Sequence, residues 1–132
     1  MTLEAQVLTD SAVRAADGGC EVDVRLPWYR SLPMSCLEDV ELIVNGEAVA
    51  RDDVRVRLDG ADLALDDLAE RTTDFWFVQD AVTVSAPLAG GLVAGADADV
   101  QVTLATRIPY ILIGPDAALV QRTRVARKVV VR

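Results

Sequence analysis

Apolar and polar residues alternate with a period of two in several separate stretches, the pattern of strands with one buried and one wet face. Cys20, Val22, Val24 and Leu26 interleave with Glu21, Asp23 and Arg25, and Val54, Val56 and Leu58 with Arg55, Arg57 and Asp59. Val100, Val102 and Leu104 do the same with Gln101, Thr103 and Ala105. Each set predicts a half-buried strand. Leu3 to Leu8 predicts a first strand, and Asp17-Gly18-Gly19 a turn ahead of Cys20. Val40 to Val44 meets Asn45-Gly46 and resumes as Glu47 to Ala50. Asn-Gly is the favoured pair of a type I′ hairpin, because both positions need a positive φ.

Helical signal is scarce. Asp67-x-x-Glu70 has the form of a capping box and predicts a short helix, Asp67 to Arg71, with Leu68 facing inward. A strand over Phe75 to Val78 sets Phe75 and Phe77 on one face and Trp76 and Val78 on the other. With both faces apolar, it is expected between two packed layers, the alternative being that one face meets a partner. Val82 and Val84 continue the run to Pro87, and Leu88 to Ala98 is a loop of small residues with no phosphate-binding spacing. Pro109, inside the apolar run to Ile113, implies a bulge or an edge, since it cannot donate to a ladder. Leu119 to Arg132 holds Arg122, Arg124, Arg127, Lys128 and Arg132 but no acid, predicting an outer strand with a solvated basic face. A counter-surface for an acidic partner is the other reading. Neither repeat nor linker interrupts the chain. About seven strands punctuated by turns predict an all-β fold, an antiparallel two-sheet β-sandwich over the single domain 1–132 with at most one short helix.

Composition then excludes several functions. A net charge of −8 opposes nucleic-acid binding, which needs a basic excess to neutralise phosphates. No apolar run is long enough to span a bilayer, and Met1 to Glu4 lacks the basic start of a signal peptide, so a cytoplasmic location is expected. The chain has no histidine, which removes the usual general base, the usual zinc ligand and the common nucleophile-histidine pairs. Cys20 and Cys36 lack metal-ligand spacing and are expected as small core residues. Asp52-Asp53 and Asp66-Asp67 are expected as solvated charge, because adjacent acids on a strand point to opposite sides. No catalytic, cofactor-binding or metal-binding residue is therefore assigned in this chain.

One stretch stands out. In Leu26 to Pro33, Pro27 and Pro33 fix two φ angles and push Leu26 and Leu32 towards extended geometry. Between them stand Trp28, Tyr29 and Arg30, side chains of the kind that anchor interfaces and stack on flat ligands. The plainer alternative has Trp28 capping a sandwich core with Tyr29 and Arg30 merely exposed.

That stretch, Leu26-Pro-Trp-Tyr-Arg-Ser-Leu-Pro-Met-Ser-Cys36 with Val40-x-Leu-x-Val-Asn-Gly-Glu47 behind it, resembles the small β subunit of bacterial C-glycoside deglycosidases. Trp76-Phe-Val-Gln-Asp80 and Thr103-Leu-Ala-Thr-Arg-Ile-Pro-Tyr-Ile111 are similar to later landmarks of that family. The resemblance runs from about Leu26 to Ile111. It implies a heteromeric carbon-carbon lyase acting on 3-oxo-C-glucosides of flavonoids or other aromatic aglycones, by deprotonation at C2 and elimination. It also implies a TIM-barrel-type α subunit that holds a divalent metal, manganese, and the base. On that view Trp28, Tyr29 and Arg30, with Pro109 and Tyr110, form the subunit contact and a rim near the 3-oxo-C-glycoside. The competing readings are a stand-alone β-sandwich that binds carbohydrates or aromatics through Trp28 and Tyr29, and a self-assembling structural module.

Overall fold

The computed structural model describes residues 4–132. In chain order its strands are β1 (Val13–Ala16), β2 (Gly19–Arg25), β3 (Leu32–Pro33), β4 (Leu37–Val44), β5 (Glu47–Ala48) and β6 (Arg55–Leu58). Then follow β7 (Ala61–Ala64), β8 (Phe75–Trp76), β9 (Ala81–Pro87), β10 (Asp97–Gly114) and β11 (Ala117–Val130). A five-stranded sheet runs β1-β2-β9-β6-β7, a four-stranded sheet β11-β10-β4-β5, and β3 pairs with β8 alone. All pairings are antiparallel. The two larger sheets enclose one core, so the β-sandwich expected from the alternation is the fold found.

The predicted inward faces are the buried ones: Val22 and Val24 of β2, Val56 of β6, and Val100, Val102 and Leu104 of β10 are all buried. Val40, Leu42 and Val44 of β4 are buried as well. Cys20 and Cys36 are free and buried, as expected of small core residues. Burial pushes the Cys20 thiol up to about 11, with Glu21 and Glu47 adding to the effect, so it stays protonated. Ala105 departs from the pattern. It is buried beside Thr106, where a bulge shifts the pairing from Ala105↔Asp39 to Thr106↔Leu37.

Turn chemistry sets the hairpins. Asn45 and Gly46 have φ of 51° and 80°, the geometry that Asn-Gly favours. Asp59 and Gly60, at 52° and 80°, make the same kind of turn between β6 and β7.

Three local expectations are corrected. Leu3 lies outside the described residues, and Glu4–Gln6 is a turn of 3-10 helix rather than strand. Val7 and Leu8 are nevertheless buried, and Val7 reaches β2 only by accepting from the Arg25 amide at 3.0 Å, with no ladder around it. The helix expected over Asp67 to Arg71 is a 3-10 segment, Leu65–Glu70. Ala64 occupies its N-cap position and makes no side-chain cap, so the box does not form, while Leu68 does face inward. Asp52-Asp53 and Asp66-Asp67 sit on 3-10 turns instead of strands, yet all four are exposed, as expected of solvated charge.

The outer face of the five-stranded sheet carries a charge ladder. Arg14 meets Asp23 at 2.7 Å and Glu21 at 3.4 Å, and Arg57 meets Glu21 at 2.7 Å. The Thr83 hydroxyl donates to Asp23 at 2.7 Å. The β11 strand forms the edge of the four-stranded sheet, with Arg122, Arg124 and Lys128 exposed along it, as the acid-free C-terminal segment predicted.

Candidate functional site: an aromatic and cationic rim

Two features bring the candidate residues together. The first is the segment between β2 and β4. Its prolines and its pairing hold it open: Leu32 and Pro33 lie opposite Trp76 and Phe75, and the Val78 amide donates to Ser31 Oγ at 2.9 Å. The second is the length of β10. Its ladder with β4 ends at Thr106↔Leu37, but its ladder with β11 continues to Gly114↔Ala117, leaving a two-stranded arm beyond the sheet. The register slips between Ile108 and Leu112, which is the irregularity that Pro109 requires.

The arm meets the loop through its aromatic residues. The Trp28 indole Nε1–H donates to the Tyr110 hydroxyl oxygen. Trp28 and Tyr29 pack edge to face with centroids 5.3 Å apart, and the Arg30 guanidinium lies over the Tyr110 ring, 5.8 Å from its centre. Trp28 is half-buried against the core, whereas Tyr29 and Tyr110 are 51% and 53% exposed. Arg30 and Pro109 are exposed as well. All five residues singled out in the sequence therefore share one rim.

At the root of the arm, Arg107 donates to Glu38 at 2.8 Å and to the Ser35 carbonyl at 3.3 Å. These bonds tie β10 to the backbone that follows Pro33, on either side of the rim. Sequence reading missed Arg107, because its partners lie about seventy positions away.

A second aromatic pair sits next to the same loop. Phe75 and Phe77 are 46% and 56% exposed and stack at 6.3 Å, while Trp76 between them is buried and donates to the Asp80 carbonyl at 3.0 Å. The core placement expected for both faces of that run is thus overturned on the phenylalanine side. The physical reason is that β8 is only two residues long and pairs with β3, apart from the two large sheets, so no second layer covers it. Leu112 and Ile113 on the arm are exposed too. Of six aromatic residues only Trp76 is buried, the reverse of their usual share in a core.

Among the described residues no three Cys, Asp or Glu side chains gather closely enough to hold a metal ion. None of the described helices is long and apolar enough to cross a membrane. The rim offers stacking surfaces, hydroxyl groups and a cation.

Comparison with known proteins gives this surface its context. Residues 2–110 match the family described as C-glycoside deglycosidase beta subunit. A C-glycoside deglycosidase beta subunit of Arthrobacter globiformis is 38% identical over 130 residues, covering 98% of each chain. The 3'-dehydrocarminate deglycosidase beta subunit of a Microbacterium species is 41% identical over 112 residues, 84% of this chain and 82% of the relative. A C-glycoside deglycosidase beta subunit of Microbacterium trichothecenolyticum is 35% identical over 116 residues, 86% of each. The match spans the Trp28 loop, the Phe75 to Phe77 segment and β10 as far as Tyr110, and on that extent the chain belongs to the C-glycoside deglycosidase beta subunit family.

Proposed function

We propose that this chain is the non-catalytic subunit of a cytoplasmic carbon-carbon lyase that cleaves 3-oxo-C-glucosides of aromatic aglycones. In this reading the ketone at C3 acidifies the proton at C2, and a base of the α subunit removes it. The electron pair closes a double bond between C1 and C2 as the bond from C1 to the aryl carbon breaks, and the aryl carbon takes up a proton. The sugar leaves as an unsaturated ketone. Proton abstraction next to a carbonyl needs a positioned base and an electrophile, and a chain without histidine lacks the usual base. A divalent metal, manganese on the strength of the family resemblance, would serve as the electrophile in a TIM-barrel-type α subunit. No cluster of Cys, Asp or Glu among the described residues of this chain fits that ion.

The observation that carries the reading is the junction of Trp28 with Tyr110, which unites two distant family motifs in one open rim. We assign Trp28, Pro109 and the Phe75/Phe77 pair to the contact with the α subunit, and Tyr29, Arg30 and Tyr110 to the side that faces the aglycone. The test is to supply a 3-oxo-C-glucoside to the chain alone, to the α subunit alone and to the two together. Turnover by the pair and not by this chain is expected. Full turnover by the isolated chain would refute the division of labour.

The openness of Tyr29 and Tyr110 favours one second reading, a stand-alone module that binds glycosides or aromatics. A monomer that takes up glycosides in calorimetry and ignores the α subunit would establish it instead.

A further inference from the structure

Arg30 differs from six other arginines of the chain in its partner, and from Arg25, Arg55, Arg122, Arg124, Lys128 and Arg132, which likewise show no ion pair among the described residues, in lying over an aromatic ring. Arg14, Arg51, Arg57, Arg71, Arg107 and Arg127 each meet a carboxylate at ion-pair distance. Arg30 meets none among the described residues, in a chain where acids outnumber bases 21 to 13. It rests instead over the ring of Tyr110, in the one cation-π pair found among those residues. A guanidinium held against a ring keeps the N–H groups of its edge free, and that edge matches a carboxylate or phenolate.

Its neighbours define the shape of what would fit. Tyr29 stands edge to face with Trp28, and Trp28 is held in turn by its bond to the Tyr110 hydroxyl. Two half-exposed phenol rings and a free cation therefore share one rim. Trp28, Tyr29, Arg30, Pro109 and Tyr110 include no carboxylate or amide side chain to bind hydroxyl groups of a sugar. Flat rings with a guanidinium beside them complement an aryl group that bears an acidic substituent.

We infer that Arg30, resting on Tyr110, is a specificity-determining residue that reads negative charge on the aglycone, so that the rim favours aryl groups carrying an ionised carboxylate or phenolate over neutral groups of the same shape. This rests on the lyase reading above for its substrate. Charge complementarity supplies the selection: a neutral aryl group stacks equally well but leaves the guanidinium edge without a partner.

The first measurement uses the assembled two-subunit enzyme and two 3-oxo-C-glucosides whose aglycones differ only in a carboxylate against a carboxamide. The wild type is expected to favour the carboxylate about tenfold in kcat/KM, chiefly through KM, as one charge-assisted hydrogen bond provides. Arg30→Gln should abolish that ratio by lowering kcat/KM for the carboxylate about tenfold more than for the carboxamide, and Arg30→Lys should keep part of it. Equal kcat/KM values in the wild type, or the same ratio in Arg30→Gln, overturn the inference. Failure of the assembled enzyme to cleave either compound refutes the lyase reading, and the rim is then judged by binding alone. For that, the nitrogen-labelled full chain is titrated with benzoate and with benzamide while the two indole N–H signals are followed. Benzoate should move the Trp28 signal in the wild type and not in Arg30→Gln, with buried Trp76 as the internal control. An equal response to benzamide, or none to benzoate, overturns the inference.

Discussion

Trp28 and Tyr110, separated by 82 positions, are joined by a hydrogen bond from the indole to the phenol oxygen. The bond fastens the β2–β4 loop to the β10–β11 arm, so changes at either residue act on both. In Trp28→Ala the loop loses its core contact and its link to the arm together. Association with the α subunit should weaken by about 2 kcal/mol or more, the loss typical of an interface anchor, as read by surface-immobilised binding. An unchanged affinity would place Trp28 in the core-capping role.

Tyr110→Phe is the milder probe. Only the acceptor oxygen goes, and water can reach the half-buried indole, so the stability lost in urea unfolding should be about 1 kcal/mol or less. A loss several times larger would mean that the arm folds only through this bond.

Phe75 and Phe77 stack on one another with about half of each residue exposed. The double change to Ser should leave unfolding stability within about 1 kcal/mol of the parent, as for surface positions away from special features. Pull-down by the α subunit should nevertheless fall sharply. If stability collapses and association does not, the pair belongs to the fold.

Glu21 and Asp23 set the acid limb of stability. A hydrogen bond from Arg57, reinforced by Arg14, holds the Glu21 carboxyl below its usual 4.5. One from Arg14, helped by Thr83, holds Asp23 below 3.8. Each group binds its proton more weakly folded than unfolded, so its stabilisation is complete above those ordinary values and is lost as pH falls through the lowered ones. Melting temperature should therefore drop below about pH 4.5, and Glu21→Gln with Asp23→Asn should flatten the drop. An unchanged slope in the double variant would show that other carboxylates govern acid unfolding.

Gly19 opens β2 directly against the end of β9. A Cβ built there would lie 2.1 Å from the Ala86 carbonyl oxygen, backbone that cannot swing aside. Gly19→Ala should cost about 3 kcal/mol or more, the upper range of overpacking, measured by chemical denaturation. A near-neutral result would mean that the two strands separate there without penalty.

These residues also show what the sequence could and could not reveal. Alternation exposed the inner faces of β2, β6 and β10, because burial on one side of a pleat writes itself directly into residue type. Asn45-Gly46 was equally plain. Asp59-Gly60 makes the same turn, yet the hairpin escaped notice because Ala61 to Ala64 lacks the branched residues that advertise a strand. The short β1, Val13 to Ala16, was invisible too, because one valine ahead of Arg14 and two alanines makes no alternating pattern. Among site residues, Trp28, Tyr29, Arg30, Pro109 and Tyr110 could be nominated from local chemistry and family motif. Their union could not, since it depends on β10 running past its last β4 partner. Phe75 and Phe77 read as core because hydrophobicity is the same signal whether a second layer is present or not.

The edge strand β11 has one more consequence. Fourteen residues with an unpaired outer side are a template on which another copy could stack, the first step towards fibres. Guanidinium and ammonium groups at Arg122, Arg124 and Lys128 would be brought face to face in such a stack, and their repulsion discourages it. The positive tail of an otherwise acidic polypeptide thus acts as a guard against its own polymerisation.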